Sequence, residues 1–222
     1  MKCNLMCGVA AGLLSIGLIG VAVPAFAGEG KDHKHDSKDE AKMSGVKVGD
    51  MAPDFTLTGS DGKSYTLSEW TKKGNIVVLE WFNAECPYCV KHGKDGTIKQ
   101  IVTDYAGKNV AVLGINSGGK GKPGHGKDGW AVKEWSLNYA VLNDETGKTG
   151  KAYGAKTTPH MYIVGKDGKI AYMGAIDNNK DGDKKEGEVV NYVRNALDQM
   201  IKGETVTETS TKPYGCSVKY AG

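Results

Sequence analysis

The run Ile76-Val77-Val78-Leu79-Glu80-Trp81-Phe82 is apolar at all but one position, the pattern of a strand covered on both faces. Asn109 to Ile115 reads the same way, and a further strand is expected near Tyr139 to Leu142. Asp54–Thr58 and Ser64–Leu67 flank Asp61-Gly62, and His160–Val164 and Lys169–Met173 flank Asp167-Gly168, so each pair reads as a hairpin. Helical spacing takes over elsewhere. Ser68 is placed to cap a short helix around Glu69-Trp70, and Ile98, Ile101, Val102 and Tyr105 share one face after a restart at Thr97. Another short helix passes through Trp130 and Trp135. Val189, Val190, Val193, Leu197, Met200 and Ile201 form the apolar face of a closing helix. Strands alternating with helices in this order predict an α/β domain, a mixed central sheet with helices on both faces.

Directly behind the first apolar run stands Cys86-Pro87-Tyr88-Cys89. A strand handing over to a helix puts the first sulfur beside unpaired helical N–H groups and the positive end of the dipole. In such motifs the thiolate pKa falls to about 3.5–7.5, from roughly 8.5 for free cysteine. Cys86 is therefore expected to be an exposed nucleophile, and Cys89 the resolving thiol one turn further on. The alternatives are a structural disulfide or half a zinc site, and no second cysteine pair or close histidine pair completes a zinc site.

The ends of the chain change the picture. Lys2, the apolar stretch Gly8–Val23 and Ala25-Phe26-Ala27 have the order of a secretory signal over residues 1–27. Cleavage there removes Cys3 and Cys7 and leaves Cys86, Cys89 and Cys216 in an oxidising compartment, periplasmic or secreted. Residues 28–45 are charged and poor in large apolar side chains, as a disordered linker is; they include His33 and His35. The domain proper is expected over 46–203, with a tail over 204–222 that carries Cys216. A net charge of +3 with interspersed signs gives no nucleic-acid footprint, and no stable membrane span is expected once the signal is cleaved.

The order of elements, with its dithiol, resembles the thioredoxin superfamily. More narrowly it is similar to secreted redoxins, the peroxiredoxins and the TlpA/ResA-type reductases, over Val46 to Lys202. Val48-Gly49-Asp50-Met51-Ala52-Pro53-Asp54-Phe55 looks like the opening segment of redoxins, Cys86 to Cys89 like their dithiol, and Thr158-Pro159 like their cis-proline. The resemblance implies a thioredoxin-like fold and a backbone edge at Thr158-Pro159 that pairs with extended substrate. It also implies a buried acid at Glu80 that takes the proton of the resolving thiol; an edge position facing solvent is the alternative. His160 is expected near the dithiol, as an imidazolium supporting Cys86 or as a strand-end side chain pointing elsewhere. Pro87 and Tyr88 would shape the substrate surface. The implied activity is that of a thiol–disulfide oxidoreductase, acting on protein thiols and disulfides and recycled by a redox partner. It needs no cofactor beyond its own disulfide.

Departures from the pattern bear on the rivals. Peroxiredoxins use Pro-x-x-x-Thr/Ser-x-x-Cys with an arginine, yet Asn83 and Leu79 stand where Cys86 would need Thr and Pro, and the chain's one arginine is Arg194. A peroxidase with antioxidant activity is therefore the runner-up. A copper metallochaperone using Cys86, Cys89 and a histidine is a more distant rival. Gly119-x-Gly121-x-x-Gly124 reads as a flexible loop rather than a dinucleotide fingerprint. Asp177-x-Asn179-x-Asp181-Gly182, continuing through Asp183 to Glu188, matches a calcium-loop pattern; a solvated turn is the alternative. Cys216 could resolve a disulfide at the dithiol, join two chains or remain free.

Overall fold

The computed structural model describes residues 45–222 apart from Glu186, so the expected signal segment and all but the last residue of the linker lie outside the described residues. The elements run β1 (Thr56–Gly59), β2 (Ser64–Thr66), α1 (Leu67–Lys72), β3 (Ile76–Trp81), α2 (Pro87–Lys94), α3 (Thr97–Asp104), β4 (Val110–Asn116) and α4 (Asp128–Glu134). They continue with β5 (Ala140–Asn143), α5 (Lys148–Tyr153), β6 (Thr157–Thr158), β7 (His160–Val164), β8 (Ile170–Gly174), α6 (Tyr192–Lys202) and β9 (Cys216–Ser217). Seven strands form one mixed sheet in the order β2-β1-β5-β4-β3-β7-β8. The β3 strand lies at its heart, parallel to β4 and antiparallel to β7. The fold is thioredoxin-like.

Every residue of β3 is buried, and its two-residue period sorts them between two cores. Ile76 and Val78 join a cluster with Ile98, Ile101, Val193 and Leu197, beneath α3 and α6. Val77, Leu79 and Trp81 join the other, with Leu67 and Tyr153 from α1 and α5. Helices thus cover both faces. Glu80, two residues after Val78, points by the same period to the face that holds Cys86 and Cys89.

Several boundaries differ from the expectation. Ser68 caps nothing: α1 starts at Leu67 after Thr66, and the Ser68 N–H is instead satisfied by Asp54 Oδ1 at 2.9 Å. The closing helix begins at Tyr192, capped by the Asn191 side chain, so Val189 and Val190 fall in the preceding loop and are exposed. The α5 helix has no counterpart in the sequence reading. It lies between two glycines in the left-handed region, Gly147 and Gly154, and its sequence Lys148-Thr-Gly-Lys-Ala-Tyr153 carries no helical apolar stripe.

The tail is ordered and packed. Its backbone first tracks the edge of β8, where Met173 N donates to Thr209 O at 3.1 Å and Thr211 N to Met173 O at 3.2 Å. It then crosses to β6, where β9 pairs antiparallel with Thr158 opposite Cys216. Val218 N–Lys156 O at 3.1 Å and Tyr220 OH–Ala155 O at 2.8 Å carry it on to the end of α5. The segment therefore straps across the end of the sheet where β3 meets α2.

Candidate active site

Cys86 occupies the N-cap of α2 and Pro87 its first turn, where proline's missing N–H costs nothing. The turn leading there is built by Asn83. Its carbonyl accepts from Cys86 N at 3.1 Å, its Oδ1 accepts from Glu85 N at 2.8 Å, and its Nδ2 donates to Pro123 O at 3.0 Å. All three cysteines among the described residues are free thiols.

The two thiols of the motif are driven apart. The Cys86 thiol is pulled down to about 4, chiefly by a hydrogen bond from the Cys89 side chain; burial opposes the fall, and the Cys89 backbone N–H adds to it. In its protonated form Cys86 Sγ donates to Thr158 O at 2.8 Å, a contact that favours the thiol and works against that pull. Cys89 is pushed well above the ordinary thiol range by burial first, then by Cys86 and by the Glu80 charge. The two shifts set a low thiol at Cys86 and a high one at Cys89. The expected exposure is not found: Cys86 is only 2% exposed, because the strap lies across the sulfur.

Glu80 is buried, at 1% exposure. Burial raises its carboxyl to about 7, against the pull of a Tyr139 hydroxyl that donates to Oε2 at 2.9 Å. A carboxyl at that value exchanges a proton near neutrality, which is what a base for Cys89 requires. Tyr139 was legible only as a strand residue; its role needs the parallel β3–β4–β5 arrangement, which the sequence does not display.

The Thr158–Pro159 bond is cis, and the Thr158 carbonyl is the one that touches Cys86. Pro159 therefore sits at the dithiol, as the resemblance implies. His160 does not act as an imidazolium. It is 2% exposed, and burial lowers it to about 4, so it is neutral. Its Nδ1 accepts from Lys156 N at 3.4 Å, which leaves Nε2 buried with no partner. Tyr88 packs against Tyr214 of the strap, ring centroids 5.8 Å apart. Arg194 pairs with Asp104, away from the sulfurs.

The residues of the calcium pattern are not drawn together. Asp177 is buried, its Oδ1 accepting from Asn179 N at 2.9 Å and from Tyr214 OH at 2.6 Å. Asn179 Oδ1 accepts from Lys184 N at 3.2 Å and Glu188 Oε2 from Lys185 N at 3.2 Å, while Asp181 and Asp183 face solvent. These are turn contacts. Among the described residues no three His, Cys, Asp or Glu side chains gather into a metal-holding group, at this loop or around the cysteines.

His92 and Tyr214 are site residues that sequence reasoning missed. His92 Nε2 lies 2.8 Å from Tyr214 OH. Because that hydroxyl donates to Asp177, the histidine is the donor, giving a chain from α2 through the strap to the loop after β8.

A model of the AhpC/TSA family matches residues 48–173. The chain is 29% identical over 158 residues to the chloroplastic peroxiredoxin Q of Triticum aestivum, a match that covers 68% of each. It is 25% identical over 130 residues to the thiol-disulfide oxidoreductase ResA of Bacillus cereus, covering 59% of this chain and 70% of that one. Among solved structures, the hypothetical protein SMc02350 of Sinorhizobium meliloti 1021 is similar at a TM-score of 0.71 and 27% identity, over 80% of this chain and 96% of the other.

Proposed function

The chain belongs to the AhpC/TSA family, and we propose that it works as an exported thiol–disulfide oxidoreductase in which Cys86 and Cys89 exchange disulfides with proteins. Its general chemistry, that of a redoxin-type oxidoreductase, is common to its relatives. The finer reading rests on one observation: two thiols one helical turn apart, the first at a helix N-terminus against the Thr158-Pro159 edge, the second buried in front of Glu80. In the reaction the Cys86 thiolate attacks a client disulfide, one client sulfur leaves as a thiolate, and a Cys86–client disulfide forms. Cys89, its proton passed to Glu80, attacks Cys86 Sγ, which closes Cys86–Cys89 and releases the second client thiol. The client gains two electrons and the dithiol loses them. Export rests on the signal pattern in residues 1–27, and an unidentified redox partner re-reduces the pair.

The test is capture. With Cys216 also replaced by serine, so that no other thiol among the described residues can resolve the bond, Cys89→Ser should accumulate mixed disulfides with periplasmic proteins, since attack proceeds and resolution fails; Cys86→Ser in the same background should trap few or none. Non-reducing gels with mass spectrometry read both. Equal trapping by the two variants would refute the assignment.

A second reading, a thiol peroxidase, is favoured by the likeness to peroxiredoxin Q. Against it stand Asn83 where the threonine is needed and an Arg194 held by Asp104, so Cys86 lacks the Thr and Arg donors that stabilise the developing charge on peroxide. We expect slow peroxide consumption by the reduced protein. A rate near that of a dedicated peroxidase would favour the second reading.

A further inference from the structure

The edge of β6 beside Cys86 is where an extended client would add a strand, and that edge is already taken. Residues Cys216 and Ser217 pair antiparallel with Thr158 and Thr157, main chain to main chain, in the manner of a bound peptide. Gly215, just before them, has φ +134, and a side-chain carbon there would lie 2.1 Å from Thr158 O. Only glycine lets the strap come this close. The register sets Cys216 opposite Thr158, the residue whose carbonyl touches Cys86 Sγ, and Cys216 packs against the core cluster that holds Cys86 and Cys89. The family match ends at residue 173, short of the strap.

We propose that the strap is a built-in occupant of the client edge and that Cys216 is a third redox thiol, which exchanges with the oxidised dithiol. The inference rests on the Cys86–Cys89 exchange reading and extends it to the regulation of the same site. In the exchange, Cys216 gives up its proton and attacks Cys86 Sγ. The Cys86–Cys89 bond breaks, a Cys86–Cys216 bond forms, and Cys89 leaves as a thiolate that takes up one proton. One disulfide is exchanged for another with no external oxidant. The product is latched: Cys86 is bonded to a strand lying on the client edge, so a client must displace the strap before it is processed.

The arrangement is tested on the exported form of Cys89→Ser, from which residues 1–27 with Cys3 and Cys7 have been cleaved, using 5,5′-dithiobis(2-nitrobenzoate), an aryl disulfide. Attack by Cys86 releases one aryl thiolate and leaves an aryl adduct. Attack by Cys216 on that adduct releases a second thiolate and closes Cys86–Cys216. The expected result is two thiolates per chain, an intact mass without adduct, and a Cys86–Cys216 linked peptide. Cys89→Ser with Cys216→Ser should release one thiolate and keep its adduct. An adduct that persists on Cys86 in Cys89→Ser, or one adduct on each of Cys86 and Cys216, overturns the proposal. Failure of Cys86 to form any adduct in either variant would instead overturn the dithiol reading, and this inference with it.

Gly215→Ala separates the strap from the thiol. In the Cys89→Ser background, with every other thiol intact, it should slow closure at least tenfold and speed capture by Cys86. Closure at an unchanged rate would show that Cys216 reaches Cys86 without the paired strand, and would overturn the role given to the strap.

Discussion

At the scale of the residue, Glu80 sets a conflict between stability and chemistry. Its carboxyl is raised from 4.5 to about 7, mainly by burial, so the folded state holds the proton more tightly than the unfolded one. Stability attached to this proton is therefore full below 4.5 and is lost as pH rises through about 7. At ~1.36 kcal/mol per pH unit the loss is roughly 3 kcal/mol in order of magnitude. Glu80→Gln removes it, so the variant should gain in Tm over the native protein as pH rises through that window and be level with it in acid. The same variant should resolve the Cys86–client disulfide more slowly, while initial capture is unchanged. Tyr139→Phe takes away the hydrogen bond that holds Glu80 down, so the pH midpoint of resolution should move upward. Stopped-flow resolution rates against pH, beside thermal melts, check all three; a midpoint unmoved by Tyr139→Phe would remove Glu80 from the step. The burial of Glu80 was readable from its apolar neighbours and the strand period. Tyr139 was not, because its partner is 59 positions away and is delivered only by the strand order.

At the scale of the element, α2 shows why a local reading falls short. By propensity alone Gly93 weakens the helix, since glycine costs about 1 kcal/mol relative to alanine there. Its place is fixed by packing: a side-chain carbon at Gly93 would come 2.4 Å from the Trp135 ring, which is itself 5.6 Å from Phe82 between ring centroids. The helix that carries the dithiol is thus seated against an aromatic pair. Gly93→Ala should therefore destabilise, because overpacking of about 1–3 kcal/mol exceeds the gain in propensity. A higher Tm for Gly93→Ala would contradict this account. The strands of the central sheet were legible because their apolar runs are continuous. The α5 helix and the two-residue strands β6 and β9 were not: all three are too short for any period to register, and the two strands are defined only by each other, far apart along the chain.

At the scale of the whole molecule, the site is closed by a segment that lies beyond the family match and that sequence reasoning set aside as a tail. What fastens it is spread over the fold: Thr211 bonds to Ala175 N at 2.9 Å and to Tyr172 OH at 2.6 Å, and Tyr214 to Asp177 and His92. The tyrosine is the joint, since it ties the strap at once to the helix bearing the cysteines and to the loop after β8. Tyr214→Phe keeps the ring against Tyr88 but deletes the hydroxyl, so Asp177 loses one donor and His92 its acceptor. Leaving such buried groups short costs about 1–3 kcal/mol. That cost falls on the strapped state, because the groups regain water when the strap lifts. The expected outcome is a several-fold faster alkylation of Cys86 by iodoacetamide at fixed pH. It should come with faster amide exchange at Val218, whose N–H is bound to Lys156 O at 3.1 Å, and with little change at β3 or β4. Faster exchange throughout the sheet would mean that the hydroxyl holds the domain rather than the strap. Alkylation and Val218 exchange both unchanged would mean that Tyr214 is not the fastening, and that the pairing of β9 with β6 keeps Cys86 covered unaided.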